Sequence, residues 1–343
     1  MIYVANVKPK TIDGLMKHLR KKGVLIKGSK QKNELKNIGY YHAYKGYKFI
    51  KKSSNPIIYT DFKQLKAVYE FDSSIKSLFY SQIMFIETSL KNRVLDIVVN
   101  EVGSESFVDI YNLALDDYKR LSPNGKTFLT TNARQQAEKN YNNAINACNK
   151  LRDQIFKTTS KAYSDSNQIA VHYQQNGLQV PIWGIFEMIS LGDFGYFVKN
   201  LNLNIRKKIS KEFGINPTYD VSAEIPHRLI FAIKDLRNSI AHNNVVFDTR
   251  FKTAKIANSV LNLLYNELNI SVNFEEIFDY LCLIVFMLKK LGLSKTSMRK
   301  FVSEFQSIVT IAKNNLPFNI FSKFISTNIR HKINLLNSYI SKK

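Results

Sequence analysis

Glycine and proline are scarce in this chain, 13 and 7 in 343 residues, and between them Leu, Ile, Lys, Asn and Phe run in long stretches with few breaks. These two residue types stop helices and shape tight turns, so their scarcity points to extended helices rather than many short strands. Apolar residues recur at helical spacing, first at Ile12, Leu15, Met16 and Leu19. The same period returns near Ile225 to His242, Phe251 to Leu268, Phe274 to Leu291, Met298 to Ala312 and Phe321 to Ile340. The expected fold class is all-α. With 45% hydrophobic residues there is enough apolar material for a sizeable core, and length leaves open one large domain or two.

The first helix is expected to end at the basic turn RKKG, with a second short helix after Gly28. In the following segment, IGYYHAYKGYKFIKK, Tyr40, Tyr41, Tyr44 and Tyr47 alternate with Lys45, Lys48, Lys51 and Lys52. Rings beside cations can stack bases and hold phosphates, and tyrosines at such spacings equally serve core packing. Asp61 is placed to cap a long helix running with one interruption to about Asn100. In its second half Ile83, Ile86, Leu90, Val94, Ile97 and Val98 form one stripe, and Glu87 lies inside it, where a carboxylate needs a partner. Residues 102–167 are polar with narrow apolar faces, as expected of an exposed helical insertion. No internal repeat and no Pro- or Ser-rich linker is present. The chain reads as a basic N-terminal region (1–60), a helical core (61–268) and a C-terminal helical region (269–343).

A formal charge of +23 favours a polyanionic partner, with nucleic acid the leading candidate. Cys148 and Cys282 stand far apart in no metal-binding spacing, and His18, His42, His172, His227 and His331 form no ligand pattern with them, so no metal or other cofactor is expected. The opening MIYVANVKPK lacks the apolar core of a signal segment, and the run near Leu281 to Leu288 is too short to span a bilayer. A cytoplasmic protein with no membrane partner is the expectation. NGKT at residues 124–127 lacks the preceding glycine and strand of a phosphate-binding loop. Trp183, among Ile182, Ile185 and Phe186, reads as a core anchor.

The segment RNSIAH at 237–242 carries the chemistry. On a helical wheel Leu229, Ile230, Ile233, Leu236 and Ile240 form the apolar face, and Asp235, Asn238 and His242 share the opposite one. Arg237 leans toward the apolar side, so its guanidinium needs a cleft, a subunit seam or an acid, and Glu87 is the suspected partner. Arg with His suits phosphodiester cleavage without a metal. The imidazole takes a proton from an RNA 2′-hydroxyl or gives one to the leaving oxygen, and the guanidinium neutralises charge gathering on the phosphate. Asn238 can orient the imidazole or bind the phosphate. With three spacings allowed, an Arg–His pair of this kind arises about 0.6 times by chance in such a composition, so its surroundings must carry the assignment.

Several separated segments resemble the Abi-like family of abortive-infection proteins, of the AbiF and AbiD type. They are KPKTIDGLMKHLRKKGVLI through IGYYHAYKGY, FIETSLKNRV with Glu87, Lys91 and Arg93, HY at 172–173, PIWGIFEMISLG with Pro181, Trp183, Glu187, Ser190 and Gly192, and LRNSIAHNN. The family commonly has Arg where this chain has His42. The resemblance implies a HEPN-like helical bundle with additional N- and C-terminal helices, and an endoribonuclease of phage defence with Arg237, Asn238 and His242 as its catalytic set and Glu87 and Asp235 in support. It implies a homodimer, since such enzymes build one site from two motifs and this chain has one, and it makes a structured noncoding RNA a partner beside the RNA substrate. Two other classes fit the composition: an RNA-binding protein without catalysis, and a sensor of a phage protein.

Overall fold

The computed structural model describes residues 10–342; the opening residues 1–9, which include most of MIYVANVKPK, and residue 343 lie outside the described residues. The helices are α1 (Ile12–Lys21), α2 (Gly28–Tyr40), α3 (Phe62–Val102), α4 (Phe107–Leu113), α5 (Thr131–Ser164), α6 (Gln168–Gln175), α7 (Ile182–Met188) and α8 (Leu191–Asn200), followed by α9 (Leu203–Glu212), α10 (Ile225–Ala241), α11 (Asn258–Leu268), α12 (Ile277–Lys290), α13 (Lys295–Asn315), α14 (Phe318–Phe321) and α15 (Ile329–Ser341). Among the described residues no strand forms, and pairing is confined to the isolated bridges Leu25–Asp61 and Phe49–Pro56. The fold is all-α.

Asp61 caps α3 by accepting the Lys63 N–H at 2.7 Å. The interruption expected in α3 does not occur. No glycine or proline stands between Phe62 and Val102, and the helix continues for 41 residues, about 60 Å, until Gly103 takes the left-handed conformation at φ 71°. This spine contacts α13 along one side and α9, α10 and α12 along others. Phe79 meets both Phe301 and Phe305 of α13. Every residue of α12 from Ile277 to Leu288 is buried, as a helix apolar all round must be. One apolar core reaches from Met16 to Ile340. Among the described residues no helix is long and apolar enough to cross a membrane.

In the N-terminal region Gly39 (φ 76°, ψ 157°) breaks α2, and the chain resumes as a single π turn, Tyr41–Lys45, closed by the Gly46 N–H on the Tyr41 carbonyl at 2.7 Å. Gly46 allows a close approach here. A side chain at this position would meet Val245 Cγ2 at 3.0 Å, so the lack of one lets the turn lie against the loop that follows α10.

His227 is buried on α10, edge-on to Phe231. Burial, followed by the charges of Lys199, Arg206 and Arg228, holds its pKa down to about 3. Because the unfolded chain takes up this proton below about pH 6.5 and the folded chain does so only near pH 3, stability contributed above pH 6.5 is lost as pH falls through that window. Denaturation at pH 7 and pH 5 should show a loss of roughly 1–2 kcal/mol from this residue. His227→Phe should flatten the decline by that amount, and an unchanged slope in the variant would assign the pH dependence elsewhere.

Candidate active site

The RNSIAH segment closes α10, and the two asparagines that follow it end the helix. His242 is the C-cap, its N–H bonding the Asn238 carbonyl at 3.0 Å. Asn243 adopts the left-handed conformation (φ 51°) and bonds Ile240 O at 3.1 Å, and Asn244 bonds Ser239 O at 2.8 Å. This pair of bonds is a Schellman termination with asparagine in glycine's usual place. It sets the His242 imidazole at the helix end, exposed to solvent.

Arg237 finds its acid on the spine. Its Nε donates to Glu87 Oε2 at 2.9 Å and its Nη2 reaches Glu87 Oε1 at 3.5 Å, while Nη1 donates to Asn238 Oδ1 at 3.3 Å. Glu87 also takes Lys91 Nζ at 3.1 Å, one turn along α3, and Lys91 donates to the Ile189 carbonyl at the end of α7. One carboxylate therefore serves two cations, which leaves a net positive charge at the mouth of the site. The Glu87 side chain is 10% exposed and that of Arg237 is 28% exposed, so the guanidinium is anchored and still open to an anion.

Asn238 is bonded through Arg237, with no bond to the imidazole. Asp235 accepts from the Thr253 N–H and hydroxyl at 2.8 and 2.7 Å and pairs with Lys234, so it ties down the loop after α10.

The model of the Abi-like protein family matches residues 33–248, well over half of the chain. This protein belongs to the Abi-like family. Membership suggests abortive infection, a form of phage defence. No curated protein and no solved structure matches the chain. The matched stretch of this Abi-like protein includes all three elements that meet at the Glu87–Arg237 pair: α3, the α7–α8 turn and α10. At that turn Ser190 caps α8, accepting the Asp193 N–H at 3.1 Å, and a side chain on Gly192 would touch Lys234 of α10 at 3.4 Å. Trp183 is less of a core anchor than its neighbours suggest, being 37% exposed with its ring edge-on to Tyr173.

The N-terminal candidates divide by burial. Tyr41, Lys45, Lys48 and Lys52 are exposed, and Tyr40 and Tyr44 are half-buried, Tyr40 lying against His18 and under Lys45. Tyr44 and Lys48 line a cavity of about 260 Å³ together with Lys22 and Phe49. Tyr47 is removed from the set of base-stacking candidates. It is fully buried, and its hydroxyl donates to Asp72 Oδ2 at 2.9 Å. Lys51 is engaged with Glu275, whose carboxyl is drawn down to about 2 by hydrogen bonds from Lys51 and Lys252.

Sequence reasoning missed the group that holds the loop behind His242. Asp72, wholly buried on α3, accepts the Val246 and Phe247 N–H groups at 2.8 and 2.7 Å and pairs with Lys76 at 3.0 Å. Lys76 in turn donates to Asn243 Oδ1 at 2.6 Å, the side chain beside His242. Arg250 closes the other end of the loop on Asp248 and on the Phe49 carbonyl, stacked on the Phe49 ring. A signal was available for both: Asp72 interrupts an apolar stripe of Val68, Phe71, Ile75 and Phe79, as Glu87 interrupts its own, and asparagine is a known helix terminator.

Proposed function

We propose that this Abi-like protein is a HEPN-type endoribonuclease of phage defence, cleaving RNA by attack of a 2′-hydroxyl, acting as a homodimer and associating with a noncoding RNA. The observation that carries this reading is the end of α10. There a guanidinium fixed by Glu87 and Asn238 stays open to an anion, and five residues further on the solvent-exposed His242 stands at the helix end, its backbone fixed by the termination.

In this reading a phosphate of the RNA meets Arg237, which balances the charge that grows as the phosphorus becomes five-coordinate. The neutral His242 imidazole takes the proton of the adjacent 2′-hydroxyl, O2′ bonds to phosphorus, and the bond from phosphorus to O5′ breaks. The leaving O5′ receives its proton from His242 of the partner subunit, which is why two copies are needed. The products are a 2′,3′-cyclic phosphate and a 5′-hydroxyl.

The test is cleavage of single-stranded RNA by the purified wild type in EDTA, with the product ends identified. Cyclic-phosphate ends, and resistance of an oligonucleotide carrying 2′-deoxy sugar at the cut position, are expected. RNA that is bound and left whole under every condition would sink the nuclease reading in favour of RNA binding without catalysis.

A further inference from the structure

Beside the RNSIAH segment lies a cavity of about 360 Å³ that the catalytic reading leaves unused, lined by Tyr41, Asp235, Asn238, Asn244, Phe251 and Thr253. We infer that it is a nucleobase pocket, taking one unstacked base of the RNA next to the bond to be cut. The inference rests on the reading of this protein as an RNA-cleaving enzyme and names how its substrate is seated.

The lining favours a flat neutral group over a phosphate. The one guanidinium bordering the cavity, that of Arg250, has its charge balanced by Asp248 at 2.7 Å and donates to the Phe49 carbonyl at 2.6 Å, whereas Arg237 shares its carboxylate with Lys91. Asp235 adds a carboxylate to the wall, which repels a phosphate. A base, by contrast, needs a ring to stack on and edge-reading donors and acceptors. Tyr41 is 54% exposed and supplies the ring. Asn238 and Asn244 supply carboxamides, and since Asn238 Oδ1 already accepts from Arg237, its NH₂ group is the part left to donate to a base acceptor.

The backbone explains why Tyr41 is there. The π turn at 41–45 inserts one extra residue into the helical path, and Gly46 lets that turn close on Val245, so the tyrosine ring and the loop after α10 border the same space. Placement links the pocket to the chemistry. Asn238 and His242 lie one turn apart on α10, about 6 Å along the axis, which is the scale of one nucleotide step. A base held by Asn238 thus sets its own phosphodiester near the end of the helix.

The experiment uses full-length His242→Ala protein, which holds RNA uncut, and a single-stranded RNA in which 2-aminopurine is moved one position at a time. Stacking in the pocket should quench its fluorescence at one position. Tyr41→Phe in the same background should keep the quench, and Tyr41→Ala should lose it with about tenfold weaker binding. Because Tyr41 is exposed, its melting temperature serves as the control for folding. Quench and affinity unchanged in Tyr41→Ala, or no quench at any position, would overturn the pocket. Quench that follows the ring, in a protein whose wild type cuts no RNA, would support the pocket and leave only the nuclease reading to fall.

Discussion

His242→Ala is expected to remove RNA cleavage while leaving thermal stability and RNA affinity near those of the wild type, whereas Arg237→Ala is expected to lose cleavage and stability together. The two side chains stand five residues apart on one helix end, yet their structural attachments differ. His242 contributes to the helix termination through its backbone N–H, a bond that alanine keeps, and its imidazole is exposed. Removing a proton-transferring group costs about 10²–10⁴-fold in rate. Arg237 is also the partner of a carboxylate buried in the face of α3. Its loss leaves Glu87 with Lys91 alone, at a cost of about 1–3 kcal/mol. Arg237→Lys should fall between, since an ammonium cannot span both carboxylate oxygens and reach Asn238 as well. Initial cleavage rates and thermal melts of the three variants check this. Wild-type cleavage by His242→Ala would remove the imidazole from the mechanism, and an Arg237→Ala protein as stable as the wild type would remove the structural role of the ion pair.

The features that could be read in advance are those whose signal is local or lies in a violated pattern. Helix periodicity, the Asp61 cap and the Glu87–Arg237 pair belong to this group; two charges of opposite sign on two apolar stripes define a problem that packing one helix on the other solves. The unbroken course of α3 departs from the interruption expected in it, although nothing from Phe62 to Val102 forces a break. What sequence spacing could not show is which tyrosine of the N-terminal segment faces inward. The π turn at 41–45 shifts the helical phase between Tyr40 and Tyr47, so ring exposure follows no single period, and Tyr41 is exposed while Tyr47 is buried. Asp72 shows in the sequence as a break in an apolar stripe, but its partners elude spacing. Its acceptors' donors are backbone N–H groups 174 and 175 residues further on, and a main-chain partner leaves no mark in the identity of a side chain.

Asp72→Ala should be among the most damaging single substitutions in the chain. The carboxylate is wholly buried, and all four of its hydrogen-bonding contacts are made: Val246 and Phe247 N–H to one oxygen, the Tyr47 hydroxyl and Lys76 to the other. Removal leaves two main-chain donors without acceptors and a nearly buried ammonium without its counter-charge, a combination that costs about 3–5 kcal/mol. The damage also reaches the site. Lys76 donates to Asn243, the residue whose left-handed conformation ends α10, so the turn beside His242 depends on where that ammonium sits. Lys76→Met alone strands the carboxylate and should be costly as well. The double substitution Asp72→Ala with Lys76→Met removes both charges, and its cost, measured by chemical denaturation, should be smaller than the sum of the two single costs by more than 1 kcal/mol. Cleavage in the Lys76→Met protein should fall with little change in RNA affinity, because the imidazole is displaced and the basic surface is nearly intact. Additive costs around the cycle would show that the two side chains act separately, and the account of Asp72 and Lys76 as one buried ion pair behind the loop would then fail.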